Sequence, residues 1–279
     1  MVKVAAVQMD PKIGQLELNL EQTRAFVQEA AREGAKLVVF PECSLTGYCF
    51  ASEEEARSKA LVIGDQWTTQ LHKLAAQLDV YVIVGFVELL REDIYNTFLV
   101  VGPEGVKGHY RKAHLPTLGV DNFTKAGTET FELIETSLGK IGPLVCYDAR
   151  FPEQSRILSL KGADILVHIT NLPLTASAQV DFLLPTRANE NRVFVLSSDR
   201  VGEERGYKFL GRSSIYGVDG EVLAQANNVD ETIIYADLDF SLARQKEVYY
   251  PASEGKPADH INYLFGARRP DLYKDLSEG

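Results

Sequence analysis

Short apolar runs recur along the chain at 2–8, 36–40, 80–87, 97–101, 140–147, 165–170 and 193–198. Further strand-like stretches lie at 213–216, 221–224 and 232–238. Several runs are apolar at consecutive positions rather than alternate ones, as in strands covered on both faces. Helical patterns separate them. Asn19 with Gln22 three residues later predicts a capping box, opening a helix that Gly34 closes. Asp65 predicts the cap of a second, with Trp67, Leu71, Leu74, Ala75 and Leu78 along one face. Pro152 suits the first turn of a third, running to Gly162. Gly102-Pro103-Glu104-Gly105 and Val218-Asp219-Gly220 predict hairpin turns. Early alternation with late hairpins predicts an α/β sandwich with mixed sheets. With no Ser/Gly linker, low-complexity tract or repeat, residues 1–279 are expected to form one domain. From about residue 251, scattered glycine, proline and charge lead to Arg268-Arg269-Pro270-Asp271-Leu272-Tyr273, an extended arm expected to lie on a second subunit.

Charge narrows the partners. Twenty-nine basic against 39 acidic residues give a net charge of −10. Nucleic acid and an anionic membrane surface both require a basic footprint, so neither is an expected partner. The start, Met1-Val2-Lys3-Val4-Ala5-Ala6-Val7-Gln8, resembles a buried strand more than a signal peptide. No apolar stretch approaches the ~18 residues of a membrane helix, and a cytoplasmic protein is expected. Cys43, Cys49 and Cys146 form no CxxC pair, which points to reduced thiols. His72, His109, His114, His168 and His260 lack metal-ligand spacing, so no zinc site is expected.

Cys146 ends an apolar run, and a helix is predicted to open at Pro152. A nucleophile at such a strand-to-helix turn is held exposed, with backbone N–H groups nearby to stabilise an oxyanion. A free cysteine is more usually a small buried hydrophobe, yet Tyr147-Asp148-Ala149-Arg150 is polar for a buried junction. Glu42 follows Val38-Val39-Phe40-Pro41, another strand end. Burial there makes a carboxylate a general base, the alternative being a cap for the next turn. Lys112 follows a hairpin strand, where a lysine is ordinarily a solvated charge. A Cys–His arrangement with His168 and Asn171 is conceivable, but no protease signature surrounds Cys146.

Taken together, Phe40-Pro41-Glu42, Tyr110-Arg111-Lys112-Ala113-His114-Leu115 and Leu144-Val145-Cys146-Tyr147-Asp148 resemble the three signature blocks of the nitrilase superfamily of carbon–nitrogen hydrolases. The resemblance extends to Ala5-Ala6-Val7-Gln8-Met9, to the stretch from Leu184 to Arg192, and to the Arg-Arg-Pro-Asp-Leu-Tyr tail. It implies Cys146 as nucleophile, Glu42 as general base and Lys112 as stabiliser of the tetrahedral intermediate. It further implies a four-layer αββα sandwich with two mixed sheets, dimerising into a larger αββα-αββα stack, with no metal and no cofactor. The Tyr147 backbone N–H suits the oxyanion beside Lys112. Many relatives carry a second glutamate a few residues after the lysine block; Asp121 is the nearest carboxylate in this chain, expected at the pocket rim if it takes that place, the alternative being an acid that only shapes a turn.

Cys146-Tyr147-Asp148 resembles the amidase and carbamoyl-hydrolase branches rather than true nitrilases. The expected activity is thiol-dependent hydrolysis of a small linear amide. The alternatives are an N-carbamoyl compound, a nitrile, or a catalytically silent binding module, against which the intact Glu42, Lys112 and Cys146 argue. Arg150 suits a substrate carboxylate or an internal salt bridge to Asp148 or Glu153. Glu190-Asn191 is expected to brace the site.

Overall fold

A computed structural model describes residues 1–252 and 260–277. The chain begins with β1 (Val2–Gln8), α1 (Leu16–Arg32), β2 (Leu37–Val39), α2 (Glu53–Lys59) and α3 (Gln66–Leu78). A meander follows, β3 (Tyr81–Leu90), β4 (Asp93–Gly102) and β5 (Gly105–Arg111). The second half starts with β6 (Ile134–Glu135), β7 (Lys140–Val145), α4 (Pro152–Leu160), β8 (Ile165–Thr170), α5 (Leu184–Asn191) and β9 (Phe194–Asp199). It continues with β10 (Glu203–Glu204), β11 (Tyr207–Lys208), β12 (Ser214–Tyr216), β13 (Val222–Gln225) and β14 (Thr232–Leu238). Then come α6 (Phe240–Arg244), β15 (Glu247–Tyr250) and β16 (His260–Tyr263).

Two six-stranded sheets result, ordered β14-β1-β2-β3-β4-β5 and β13-β12-β9-β8-β7-β6. Each is mixed: β1, β2 and β3 run parallel in one, β7, β8 and β9 in the other. Val4, Ala6, Val39 and Ile83 of the first sheet share a core with Val145, Val167 and Leu196 of the second. The opposite face of the first sheet, with Ala5, Val38 and Val82, packs beneath Val27 of α1 and Trp67 of α3. Leu144, Leu166 and Val195 do the same beneath Leu158 of α4 and Leu184 of α5. The order of layers is therefore α, β, β, α. Burial on both faces explains why these strands read as unbroken apolar runs.

Two helix starts teach different lessons. The Asn19–Gln22 box does not form, because α1 already begins at Leu16 and Asn19 lies buried within it. Its amide is taken up by tertiary contacts, donating to the Lys12 and Leu45 carbonyls and accepting from Lys12 N–H. Capping of that kind occurs instead at α2, where Ser52 accepts from Glu55 N–H and the Glu55 carboxylate accepts from Ala51 N–H. Asp65 does stand at the N-cap of α3 but makes no side-chain cap bond; Thr68 accepts from Gly64 N–H there. Pro152 opens α4 as expected, and Gly162 follows it in the left-handed region.

The C-terminal arm is in part outside the described residues, at 253–259 and 278–279. What is described folds back rather than running extended. β16 pairs antiparallel with β15, and short 3-10 turns span Pro270–Leu272 and Lys274–Ser277.

The topology collects one set of strand ends. β5 is antiparallel to β4, which is antiparallel to β3, so β2, β3 and β5 all end at the same edge of their sheet. Carboxyl ends of strands are where α/β sheets leave room for ligands. Beyond β2 the chain crosses directly over Gly85 of β3: a Cβ there would sit 2.5 Å from the Cys43 nitrogen and 2.8 Å from the Glu42 Cα. Gly85→Ala is thus expected to cost about 1–3 kcal/mol of stability by overpacking and to displace Glu42. Urea unfolding that matched the wild type would show the contact to be soft.

Candidate active site

Glu42 lies just past β2 and is completely buried. Lys112 lies just past β5, equally buried, and its backbone N–H is fixed on the Asn96 carbonyl of β4 at 2.9 Å. The Lys112 ammonium donates to Glu42 Oε1 at 2.8 Å and to Asp121 Oδ2 at 2.6 Å. Asn96 spans the same two carboxylates, its Nδ2 donating to Glu42 Oε1 at 2.7 Å and to Asp121 Oδ1 at 3.0 Å. A lysine, two acids and an amide therefore close into one ring. Asp121 is not at the rim as expected. The 3-10 turn Gly119–Asn122 carries it inward to 4% exposure, because the Lys112 charge requires a second counterion at this depth.

One atom of the ring is left over. Glu42 Oε1 accepts two hydrogen bonds, whereas buried Oε2 has no hydrogen-bond partner among the described residues. A buried carboxylate oxygen without a donor is an acceptor held ready for a proton. Burial raises the Glu42 pKa above its usual value against the pull of Lys112, with Asp121 adding to the rise. Burial also opposes the Lys112 ammonium, but Asp121 and Glu42 together hold its pKa well above the ordinary lysine value. It stays a cation.

Cys146 follows β7 and begins the 3-10 turn Cys146–Arg150, with φ +48. The thiol is 5% exposed, and burial pushes it up to about 12, with the Glu42 charge adding and the Lys112 charge opposing. No direct Glu42–Cys146 hydrogen bond forms among the described residues, but the two interact through their charges. The Tyr147 N–H belongs to the first turn of this short helix, whose N–H groups have no partner within the helix.

The turn is held from several sides. Asp148 Oδ2 accepts from Val145 N–H and from the Tyr110 hydroxyl, both at 2.9 Å, and Oδ1 from the His114 N–H at 3.1 Å. Those contacts leave Arg150 without the internal ion pair to Asp148 or Glu153 considered from sequence. Arg150 is exposed, its guanidinium 6.0 Å from the Tyr147 ring centre. Glu190 and Asn191 act at one remove: Glu190 pairs with Arg187, and Arg187 donates to the Ala149 and Arg150 carbonyls. His168 is no partner for the thiol. Its Nε2 donates to the Cys146 carbonyl at 3.0 Å and its Nδ1 accepts from Ser197 at 2.9 Å. Asn171 is buried with neither amide atom hydrogen-bonded among the described residues.

Sequence reasoning missed Asn96 and Tyr48. Asn96 lies just before the apolar run at 97–101, in a part of β4 that the sequence pattern did not mark as strand. Tyr48, whose hydroxyl reaches Asp121 Oδ2 at 2.9 Å, sits in a loop with no periodic signal. Cys43 and Cys49 are buried and unbridged, Cys43 contacting the Asn96 amide oxygen. Among the described residues, no group of three or more His, Cys, Asp and Glu side chains is arranged to hold a metal ion. No described helix is long and apolar enough to cross a membrane.

A four-layer αββα sandwich with a carboxylate, an ammonium and a thiol just beyond its strand ends is an architecture of the nitrilase superfamily. The chain belongs to the carbon–nitrogen hydrolase family, whose model matches residues 3–247. It is 38% identical over 274 residues to a nitrilase of Pyrococcus abyssi, spanning 98% of this chain and 99% of that one. It is 30% identical over 267 residues to the omega-amidase NIT2 of Bos taurus, spanning 92% and 91%. The crystal structure of Saccharomyces cerevisiae Nit3, a member of branch 10 of the nitrilase superfamily, superposes with a TM-score of 0.77 at 27% identity, covering 87% of this chain and 92% of that one.

The buried imidazole generates a prediction about stability. Burial lowers the His168 pKa from 6.5 to about 4, so the folded state binds its proton less readily than the unfolded state. The neutral form's contribution is present above pH 6.5 and is lost as pH falls toward 4, amounting to at most about 3 kcal/mol. His168→Gln should lack this component, so its urea midpoint should fall less than the wild type's between pH 6.5 and 4. Equal sensitivity would refute the assignment.

Proposed function

We propose that the protein is a thiol amidohydrolase that cleaves the carbon–nitrogen bond of a small linear amide, releasing ammonia through a thioester on Cys146. One observation supports this above the others. The Lys112 ammonium fixes one oxygen of Glu42 while the other has no hydrogen-bond partner among the described residues, beside a thiol on a turn whose first N–H groups have no partner within the helix. In the proposed reaction Glu42 Oε2 takes the thiol proton as sulfur attacks the amide carbon. The carbon–sulfur bond forms and the carbonyl oxygen becomes an oxyanion, met by the Lys112 ammonium and the Tyr147 N–H. Glu42 then delivers the proton to nitrogen, the carbon–nitrogen bond breaks, and ammonia leaves. Water that Glu42 deprotonates attacks the thioester, releasing the acid and restoring the thiol.

Asp121 has a separate part in this reading. It keeps Lys112 charged throughout, so that Glu42 is free to trade its proton. Arg150, exposed and without an ion pair among the described residues, is the proposed partner of a substrate carboxylate. An amide is the favoured substrate because the bovine relative is an omega-amidase. The Pyrococcus relative is a nitrilase, so nitriles belong in the test.

The experiment is ammonia release across linear amides, N-carbamoyl amino acids and nitriles, with amides expected to turn over fastest. Cys146→Ala should lose activity by at least about a thousand-fold while remaining folded, and Cys49→Ala should keep most of it. Full activity in the Cys146 variant would end the covalent reading.

We also infer a cytoplasmic two-fold dimer. Ile261, Leu272 and Leu276 of the arm expose more than half of their surface in the single chain, the kind of apolar area an obligate interface covers. Light scattering at micromolar protein should give a dimer or a larger even assembly. A clean monomer would contradict it.

A further inference from the structure

Outside the catalytic ring lies a second buried charge cluster. Arg200, just past β9, is fully buried, although its guanidinium is one of the largest polar groups in the chain. It donates to Asp10 Oδ1 at 2.7 Å, approaches Glu204 Oε2 at 3.1 Å, and lies 4.2 Å from the Phe209 ring centre. The proposed chemistry uses none of these groups. The other oxygen of Glu204 shows what the cluster is positioned to do: Oε1 accepts from Tyr48 N–H at 2.9 Å and from Cys49 N–H at 2.7 Å. One carboxylate of the β10–β11 hairpin thus clamps the loop that follows Glu42.

The clamp leads back to the lysine. Between the loop and the ring stands the Tyr48 side chain, whose hydroxyl proton is shared between Asp121 Oδ2 and the Leu118 carbonyl, both at 2.9 Å. Asp121 Oδ2 is the oxygen that receives Lys112. The aromatic ring is confined laterally as well. Gly119 is at φ +55, and a Cβ there would run into the Tyr48 ring, so tyrosine and turn meet at a distance only glycine permits. Gly47, at φ +80, lies against the Ile13 backbone and fixes the approach from the other end. Burial and the Asp121 charge keep the phenol protonated, so it serves only as a donor at the carboxylate.

We propose that Glu204, braced by Arg200, and Tyr48 are positioning residues for Lys112: the hairpin carboxylate fixes the Tyr48 backbone, Tyr48 sets Asp121, and Asp121 sets the ammonium. This rests on Lys112 acting in the proposed reaction. A group acting through position is expected to alter turnover more than substrate affinity, since misplacement of a reacting charge by a fraction of an ångström is costly.

The test uses Tyr48→Phe, which keeps the ring and removes the donor, together with Glu204→Ala and the double variant. Each is measured for kcat and KM on the best amide of the panel, and for the rate at which iodoacetamide alkylates Cys146, read by peptide mass. Tyr48→Phe should lower kcat on the order of ten- to a hundred-fold with KM within about two-fold, and should slow alkylation as the Lys112 charge moves from the sulfur. Because both residues act along one path, the double variant should fall no further than the poorer single variant. Wild-type kcat and alkylation in Tyr48→Phe, or losses that multiply in the double variant, overturn the inference. Should Glu204→Ala fail to fold, Tyr48→Phe decides alone, since it leaves Arg200 and Glu204 untouched. Lys112→Ala separates the two levels. If it is inactive while Tyr48→Phe is fully active, only the positioning inference fails; if it is active, the catalytic reading fails and takes the inference with it.

Discussion

An ammonium without any exposed surface is the constraint around which this molecule is arranged. Taking a lysine charge out of water costs several kcal/mol even after relaxation, and only close counterions with good geometry offset that. Lys112 has two, Glu42 at 2.8 Å and Asp121 at 2.6 Å, brought from different parts of the chain. Meeting the requirement fixes much else. β2 and β5 must end at the same edge, which the parallel pairing of β2 with β3 and the β3–β4–β5 meander ensure. The chain beyond β2 must pass close over β3, which Gly85 allows. The turn carrying Asp121 must point inward. Removal of either acid would take away one of the two close contacts that offset the desolvation of this ammonium, and removal of both would leave a buried charge unpaired, the class of change that destabilises most.

Two acids for one base leave the ring with a surplus negative charge, and that surplus is the chemical content of the site. It adds to burial at Glu42, whose pKa rises with Asp121 beside it, and at Cys146, whose thiol burial and then the Glu42 charge push up to about 12. A thiol so raised does not ionise by losing its proton to water at neutral pH. In the proposed reaction it ionises by passing the proton to Glu42, a step that relocates charge within the enclosure without adding any. Because no net charge enters the low-dielectric region, the transfer avoids the desolvation cost a free thiolate would carry. In that proposed reaction the ammonium would persist beside the developing oxyanion, because Asp121 continues to compensate Lys112 when Glu42 is protonated.

The strand ends were legible in the sequence, and the ring was not. Glu42 and Cys146 each follow an apolar run and Lys112 a hairpin strand, and the three blocks together carried the family resemblance. Periodicity assigns a residue to a face of one strand, and it is silent on which residue of another strand stands opposite. Asn96 stands just before the apolar run at 97–101 and drew no reading, although register alone, through its carbonyl on Lys112 N–H, places it beside the lysine. Asp121 was identified as the nearest acid but put at the rim, since an acid in a polar loop reads as solvated until its counterion is known to be buried. Asn19 failed in the opposite sense. A good capping residue was taken up by tertiary hydrogen bonds that local sequence does not show.

The turn of the proposed nucleophile follows a different logic from the lysine's ring. Cys146 is at φ +48, a left-handed conformation uncommon for a residue with a Cβ, and such strain persists only where the surroundings over-determine it. They do so by holding the backbone on both sides of the sulfur. His168 fixes the Cys146 carbonyl, Asp148 fixes the Val145 N–H, and Arg187 fixes the carbonyls of Ala149 and Arg150. Each of these groups is itself anchored, His168 by Ser197, Asp148 by Tyr110 and Arg187 by Glu190. The lysine is therefore held through its charge and the cysteine through its backbone. That division suits the two proposed roles, because an electrostatic stabiliser works while bound to its counterions, whereas a nucleophile works from a fixed backbone through a side chain that has to change partners.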